Sequence, residues 1–88
     1  MSSSEKLVLR LKCIPSDFTF NEAERLFNHF GYELDTKGKT SGSRVIFFRK
    51  LDNKKIMLHK PHNPSILRKS AVKQIYEFLV DNGDIEED

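Results

Sequence analysis

Phe20, Ala23, Leu26, Phe27 and Phe30 recur at spacings of three, four or seven, which sets them on one face of a helix and leaves Asn21, Glu22, Arg25, Asn28 and His29 on the other. Thr19 and Glu22 stand in front of that stripe at capping-box spacing, so the helix is expected to open at Phe20; Gly31 offers the left-handed stop. Tyr32, Leu34 and Thr36 alternate with polar residues and predict a short strand. Residues 44–51 are dense in Val, Ile and Phe, and residues 55–59 resemble them across Asp52-Asn53, which predicts a hairpin. Pro61 and Pro64 then break the chain. A last helix is expected over residues 70–82, with Val72, Ile75, Tyr76 and Leu79 inward and Gly83 as its stop. Near the start, Leu7, Val8, Leu11 and Ile14 approximate a helical stripe, yet Leu7, Leu9, Leu11 and Cys13 alternate equally well. Periodicity does not decide between the two; the helix is the preferred reading, closed by Pro15, whose ring disfavours α geometry at Ile14.

The resulting order, (α)-α-β-β-β-α, predicts an α+β fold: a three-stranded antiparallel sheet with two helices packed on one face, plus a short N-terminal element. Small double-stranded-RNA-binding domains (dsRBDs) share this layout, and its other sheet face is left open to a ligand. Residues 1–6 are expected to be disordered, residues 7–83 to form a single domain, and residues 84–88 to be an acidic tail.

Eighty-eight residues make one small core, with space for a compact site or a binding face but not for a large cofactor and a substrate domain. No apolar run approaches the ~18–20 residues that cross a bilayer. Residues 1–6 lack the basic-then-apolar order of a signal peptide, so a cytoplasmic protein without membrane contact is expected. The one cysteine, Cys13, has no partner for a disulfide or a thiolate zinc site.

Charge changes the picture most, because it is sorted by position. Residues 1–36 carry four basic and six acidic side chains. Residues 37–73 carry eleven Lys or Arg against Asp52, a local charge of +10, and residues 74–88 carry six acids and no base. Such a stretch repels itself unless it faces a polyanion or an acidic partner, so the middle of the chain is expected to meet phosphate. A solvated basic face is the plainer alternative.

Two clusters carry candidate chemistry. Residues 38–44 hold two glycines, three hydroxyls and three cations counting Lys37 beside them, a cradle for one phosphodiester or else a polar hairpin loop. The phosphate-loop spacing is absent. Arg44, opening the central strand, has a planar fork suited to bidentate phosphate binding. The second cluster is His59-Lys60-Pro61-His62. His59 ends the third strand and, in an antiparallel hairpin, is expected near Arg44; histidine is the obvious general base or acid near neutral pH. Lys37, Lys39, Ser43, Arg44, Lys60, Lys69 and Lys73 are the candidate RNA-binding residues, and His59, His62 and Arg44 the candidate catalytic ones. No metal site is expected, since the three histidines lack helical pairing and cysteine company; no cofactor is expected either.

Over residues 19–83 the chain resembles the HicA toxins of bacterial and archaeal toxin–antitoxin modules. The resemblance rests on the capped helix ending in Phe30-Gly31-Tyr32, the strand opening Gly42-Ser43-Arg44, the hairpin, the His59-Lys60-Pro61-His62 run and the final Val72-Lys73-Gln74-Ile75 helix. It implies a dsRBD-like fold, single-stranded mRNA as substrate, cleavage without metal, and a HicB-type antitoxin that masks the active face. It also implies that Arg44 stands where the family carries its catalytic histidine. Arginine stays protonated at pH 7 and cannot act as a base. Either His59 or His62 then takes over proton transfer, or the chain binds RNA or a partner without cutting.

Overall fold

A computed structural model describes residues 3–35, 44–61 and 65–86. Its elements are α1 (Ser3–Lys12), α2 (Phe20–His29), β1 (Glu33–Asp35), β2 (Arg44–Arg49), β3 (Lys54–His59) and α3 (Lys69–Asp81). The three strands form one antiparallel sheet in the order β1-β2-β3, as the sequence predicts.

The inner face of the sheet supplies Phe47, Ile56 and Leu58 to the core, where they meet Phe20, Ala23, Leu26 and Phe27 of α2 and Val72, Ile75 and Leu79 of α3. Phe27 is the hub. It stacks on Phe47 with ring centroids 4.5 Å apart and takes the edge of Tyr32 at 5.5 Å. The α2 capping box forms as expected: the Thr19 hydroxyl accepts from the Glu22 N–H at 3.1 Å, and the Glu22 carboxylate accepts from the Thr19 N–H at 3.0 Å. Gly31, at φ 89°, ends the helix with a conformation that L side chains rarely adopt, and a Cβ there would also meet the Arg49 side chain at 3.5 Å.

For the first element the helical stripe wins over the alternation. Leu7 and Leu11, one turn apart, are buried, whereas Leu9 is 50% exposed and Cys13 is exposed. Helix α1 packs on α2 and α3 and is held by Arg10, which donates to the Glu22 carboxylate at 2.9 Å and to the Asp17 carboxylate at 3.2 Å. The clamp therefore grips the same glutamate that caps α2. Helical structure begins at Ser3, four residues before Leu7, with Glu5 in the first turn where the helix dipole favours an acid.

Two boundaries differ from the sequence reading. The hairpin loop is four residues, 50–53, because Arg49 pairs with Lys54; Asn53 takes the left-handed φ of 56°, and Leu51 is 89% exposed instead of continuing the strand. Arg49 turns its fork to Asp52 at 2.7 and 3.0 Å, which folds the loop back on itself. The packed structure also runs past Gly83. The Asp84 carboxylate accepts from the Tyr32 hydroxyl at 2.7 Å and from Arg49 at 2.8 Å, and Ile85 is buried, so this part of the acidic end belongs to the core. It reaches the Arg49 end of β2, opposite to Arg44.

Candidate nucleic-acid interface

Strand register builds one end of the site. Arg44 and His59 are Cα partners at the start of β2 and the end of β3. Buried Phe47 and Leu58 fix the inner face, so alternation places Arg44, Ile46, Phe48, Lys55, Met57 and His59 on the outer one. Both Arg44 and His59 are exposed there. The expectation that the hairpin brings this cation and this imidazole to the same end of the sheet is met by the register.

The chain beyond β3 builds the rest. Leu67 donates its N–H to the Phe18 carbonyl at 2.8 Å, and Phe20 donates to the Ser65 carbonyl at 2.9 Å, so residues 65–67 are pinned beside the start of α2. This return sets the N-terminal half of α3 alongside the edge of β3. Between them lies an open groove of 650 Å³, its walls including His59, Lys60, Pro61, Ile66, Arg68 and Gln74. Among the described residues no acid lines it. The Gln74 amide donates to the Met57 carbonyl at 3.3 Å, bridging helix and strand edge at one end. Lys60 and Arg68 lie toward the other, with the Lys60 ammonium 5.2 Å from the Phe20 ring centroid.

Charge adds to this arrangement. The first turn of α3 carries no acid, and its N-cap, Arg68, makes no side-chain cap, so the positive end of the helix dipole is not offset by a local carboxylate. Lys69 and Lys73 are exposed one turn apart on α3; they flank the groove without lining it. Lys37, Lys39, Ser43 and His62 lie outside the described residues, so four of the expected site residues have no place in this geometry. Among the described residues no three metal-ligating side chains converge.

Sequence reasoning did not find Arg68, Ile66, Met57 or Gln74. Arg68 was legible as a cation in front of a helix without an acidic first turn. The partnership of Gln74 with Met57 had no local signal, since it depends on how α3 docks.

At the far end of β2, Arg49 is held protonated even more firmly than an ordinary arginine, first by its bonds to Asp52 and then by Asp84. Its guanidinium lies 4.4 Å over the Tyr32 ring. Burial, helped by the bond to Asp84, pushes the Tyr32 phenol up to about 12. This cluster lies at the opposite end of β2 from Arg44 and His59, which are exposed.

No similar protein was found among curated proteins or among solved structures. The family model described as HicA toxin of bacterial toxin–antitoxin matches residues 20–79, from the first residue of α2 to the last buried turn of α3, and so takes in the sheet, the Arg44–His59 pair and the groove. With that match over more than half of its length, the chain belongs to the HicA toxin family, the toxin member of a toxin–antitoxin pair.

Proposed function

We propose that this toxin acts on single-stranded mRNA, gripping its phosphates with Arg44, Lys60 and the flanking lysines and cleaving it without metal, with His59 as the base. The observation that carries the reading is the pairing of Arg44 with His59 on an open face, beside a groove walled by cations. In the reaction, the His59 imidazole takes the proton of a ribose 2′-OH as that oxygen bonds to the adjacent phosphorus. The bond from phosphorus to the 5′-oxygen of the next nucleotide breaks, and that oxygen takes a proton from solvent water or from a protonated His62 as it leaves, which gives a 2′,3′-cyclic phosphate and a 5′-hydroxyl end. Arg44 offsets the charge that builds on the non-bridging oxygens. His62, which follows Pro61, is the second candidate for proton transfer. Lys37, Lys39, Ser43, Lys69 and Lys73 are the further proposed RNA-binding residues.

A HicB-type antitoxin is the proposed partner. The sheet face that carries His59 also holds Ile46, Phe48 and the half-exposed Met57, apolar area that such a partner would bury while masking the site.

One residue favours a second reading. If Arg44 occupies the position of the family's histidine, the proton shuttle is lost and the protein binds RNA without cutting it. Incubating the purified protein with long single-stranded RNA in EDTA separates the two. New 5′-hydroxyl ends support the nuclease, retardation of intact RNA supports the binding module, and no effect on the RNA sinks both.

A further inference from the structure

The groove between β3 and α3 has two kinds of wall, and a phosphate needs only one of them. Lys60 and Arg68 mark the end where the chain turns from sheet to helix. Toward the other end stands Gln74, bonded to the Met57 carbonyl, and Ile66, 40% exposed, and Pro61 supply the apolar lining. Exposed apolar side chains beside a cationic end are a cost in water that a phosphate alone does not relieve, because a phosphate gains nothing from an apolar contact.

We propose that the groove is a nucleotide pocket that takes one unpaired base of the RNA strand, adjacent to His59. The proposal rests on the RNA reading above and adds a base subsite and the residues that read it. The base lies on the apolar wall of Pro61 and Ile66. Its edge meets the Gln74 carboxamide, which offers both a donor and an acceptor and is held across the groove by the Met57 carbonyl. Its phosphate lies at Lys60 and Arg68. The volume of 650 Å³ is within the ~300–1,000 Å³ typical of sites that enclose one small ligand. The open side lets the strand enter and leave. A base stacked and paired in an A-form duplex cannot reach this wall, so the occupant is single-stranded.

The test is fluorescence anisotropy with the full chain and three octamers of equal backbone charge per strand. One is a single-stranded 2′-O-methyl RNA, which cannot be cleaved through its 2′-oxygen. The second is the same strand annealed to its complement, and the third is a tetrahydrofuran-phosphate strand without bases. The single strand is expected to bind about tenfold or more tightly than either of the others, the scale of one or two base contacts. Gln74→Leu and Ile66→Ser, both at exposed positions, should each remove most of that advantage while leaving affinity for the baseless strand within about twofold of the parent. If one variant fails to fold by circular dichroism, the other carries the test. Equal, salt-sensitive binding of the base-bearing and baseless strands, or tighter binding of the duplex, overturns the pocket and leaves RNA binding standing. Failure to bind any strand removes the RNA reading together with the pocket. Tighter binding of a poly-glutamate octamer than of the RNA would assign the groove to an acidic peptide and overturn the proposal as well.

Discussion

His59 and Arg44 face the same solvent, and their chemistry separates their expected phenotypes. If His59 is the base, His59→Ala should lower the cleavage rate by about 10²-fold or more and leave RNA affinity within about twofold, since an imidazole that moves a proton contributes little to ground-state binding. Arg44→Ala should weaken both, because its charge acts on substrate and transition state alike. Rates from single-turnover cleavage and affinities from filter binding on the same RNA check this; unchanged cleavage in the His59→Ala, His62→Ala double variant would exclude both imidazoles. At the opposite end of β2, Tyr32 gives a pH signature. Its folded pKa is raised from 10 to about 12, so the protonated phenol is the form the fold favours. The associated stability is complete below pH 10 and is lost as pH rises from 10 to 12. Two units correspond to about 2–3 kcal/mol. The parent should therefore lose about that much relative to Tyr32→Phe between pH 9 and pH 12, measured by urea unfolding. Parallel pH profiles for the two proteins would contradict the assignment.

At the scale of elements, local chemistry and tertiary docking share the work unequally. The α2 cap is local, and Glu22 serves two partners there: the Thr19 N–H and Arg10 of α1. Glu22→Ala should thus cost more than an ordinary cap loss. About 1 kcal/mol for the cap and up to ~1 for the half-exposed ion pair give roughly 1–2 kcal/mol by denaturant unfolding. Arg10→Ala in the Glu22→Ala background should add less than Arg10→Ala does in the parent, because the two changes remove one shared contact. The same contrast explains what the sequence made legible. The strongly periodic α2 and α3 and the β2–β3 hairpin were readable from apolar spacing, and an antiparallel hairpin put His59 near Arg44, but the register that opposes them was not legible, since a turn at Asp52-Asn53 would have set Arg44 against Pro61. The hairpin loop was not placed correctly, because the Arg49–Asp52 fork, not the apolar Leu51, decides where the strands part. For α1, two periodicities fitted equally well, and only the docking of Leu7 and Leu11 distinguishes them. The groove was invisible for a similar reason: Met57 and Gln74 lie seventeen positions apart and meet through the return of residues 65–67.

The molecule as a whole sets a structural end apart from the proposed binding end, and the acidic C-terminus shows how. Six acids follow residue 73, and from sequence they invite the idea of a tail folding over the basic face. Asp84 instead bonds Tyr32 and Arg49, and Ile85 is buried, so these two residues stabilise the end of the sheet remote from Arg44 and His59. Truncation after Gly83 should accordingly destabilise the protein by about 2–4 kcal/mol: the burial of Ile85 is worth ~1.5–3 kcal/mol, and loss of Asp84 takes the acceptor from the Tyr32 phenol and one of the carboxylates from Arg49. RNA affinity of the truncated chain, measured where it is still folded, should stay within about twofold of the parent. Charge segregation makes the complementary prediction for the other end. With Arg44, Lys60, Arg68, Lys69 and Lys73 spread over the outer sheet face and the start of α3, a single strand crossing the site meets about four or five cations. Each neutralised phosphate releases condensed counterions, so log K should fall against log salt with a slope of about −3. Replacing Lys60 and Lys73 by Ala should weaken binding to all sequences alike and reduce the slope by about 1 to 1.5, since phosphate contacts position a strand without specifying its bases. Titrations of one single-stranded RNA at four salt concentrations, for parent and double variant, provide the comparison. A slope near zero in the parent would mean that the +10 segment does not meet phosphate, and the basic face would then have to be assigned to an acidic protein partner.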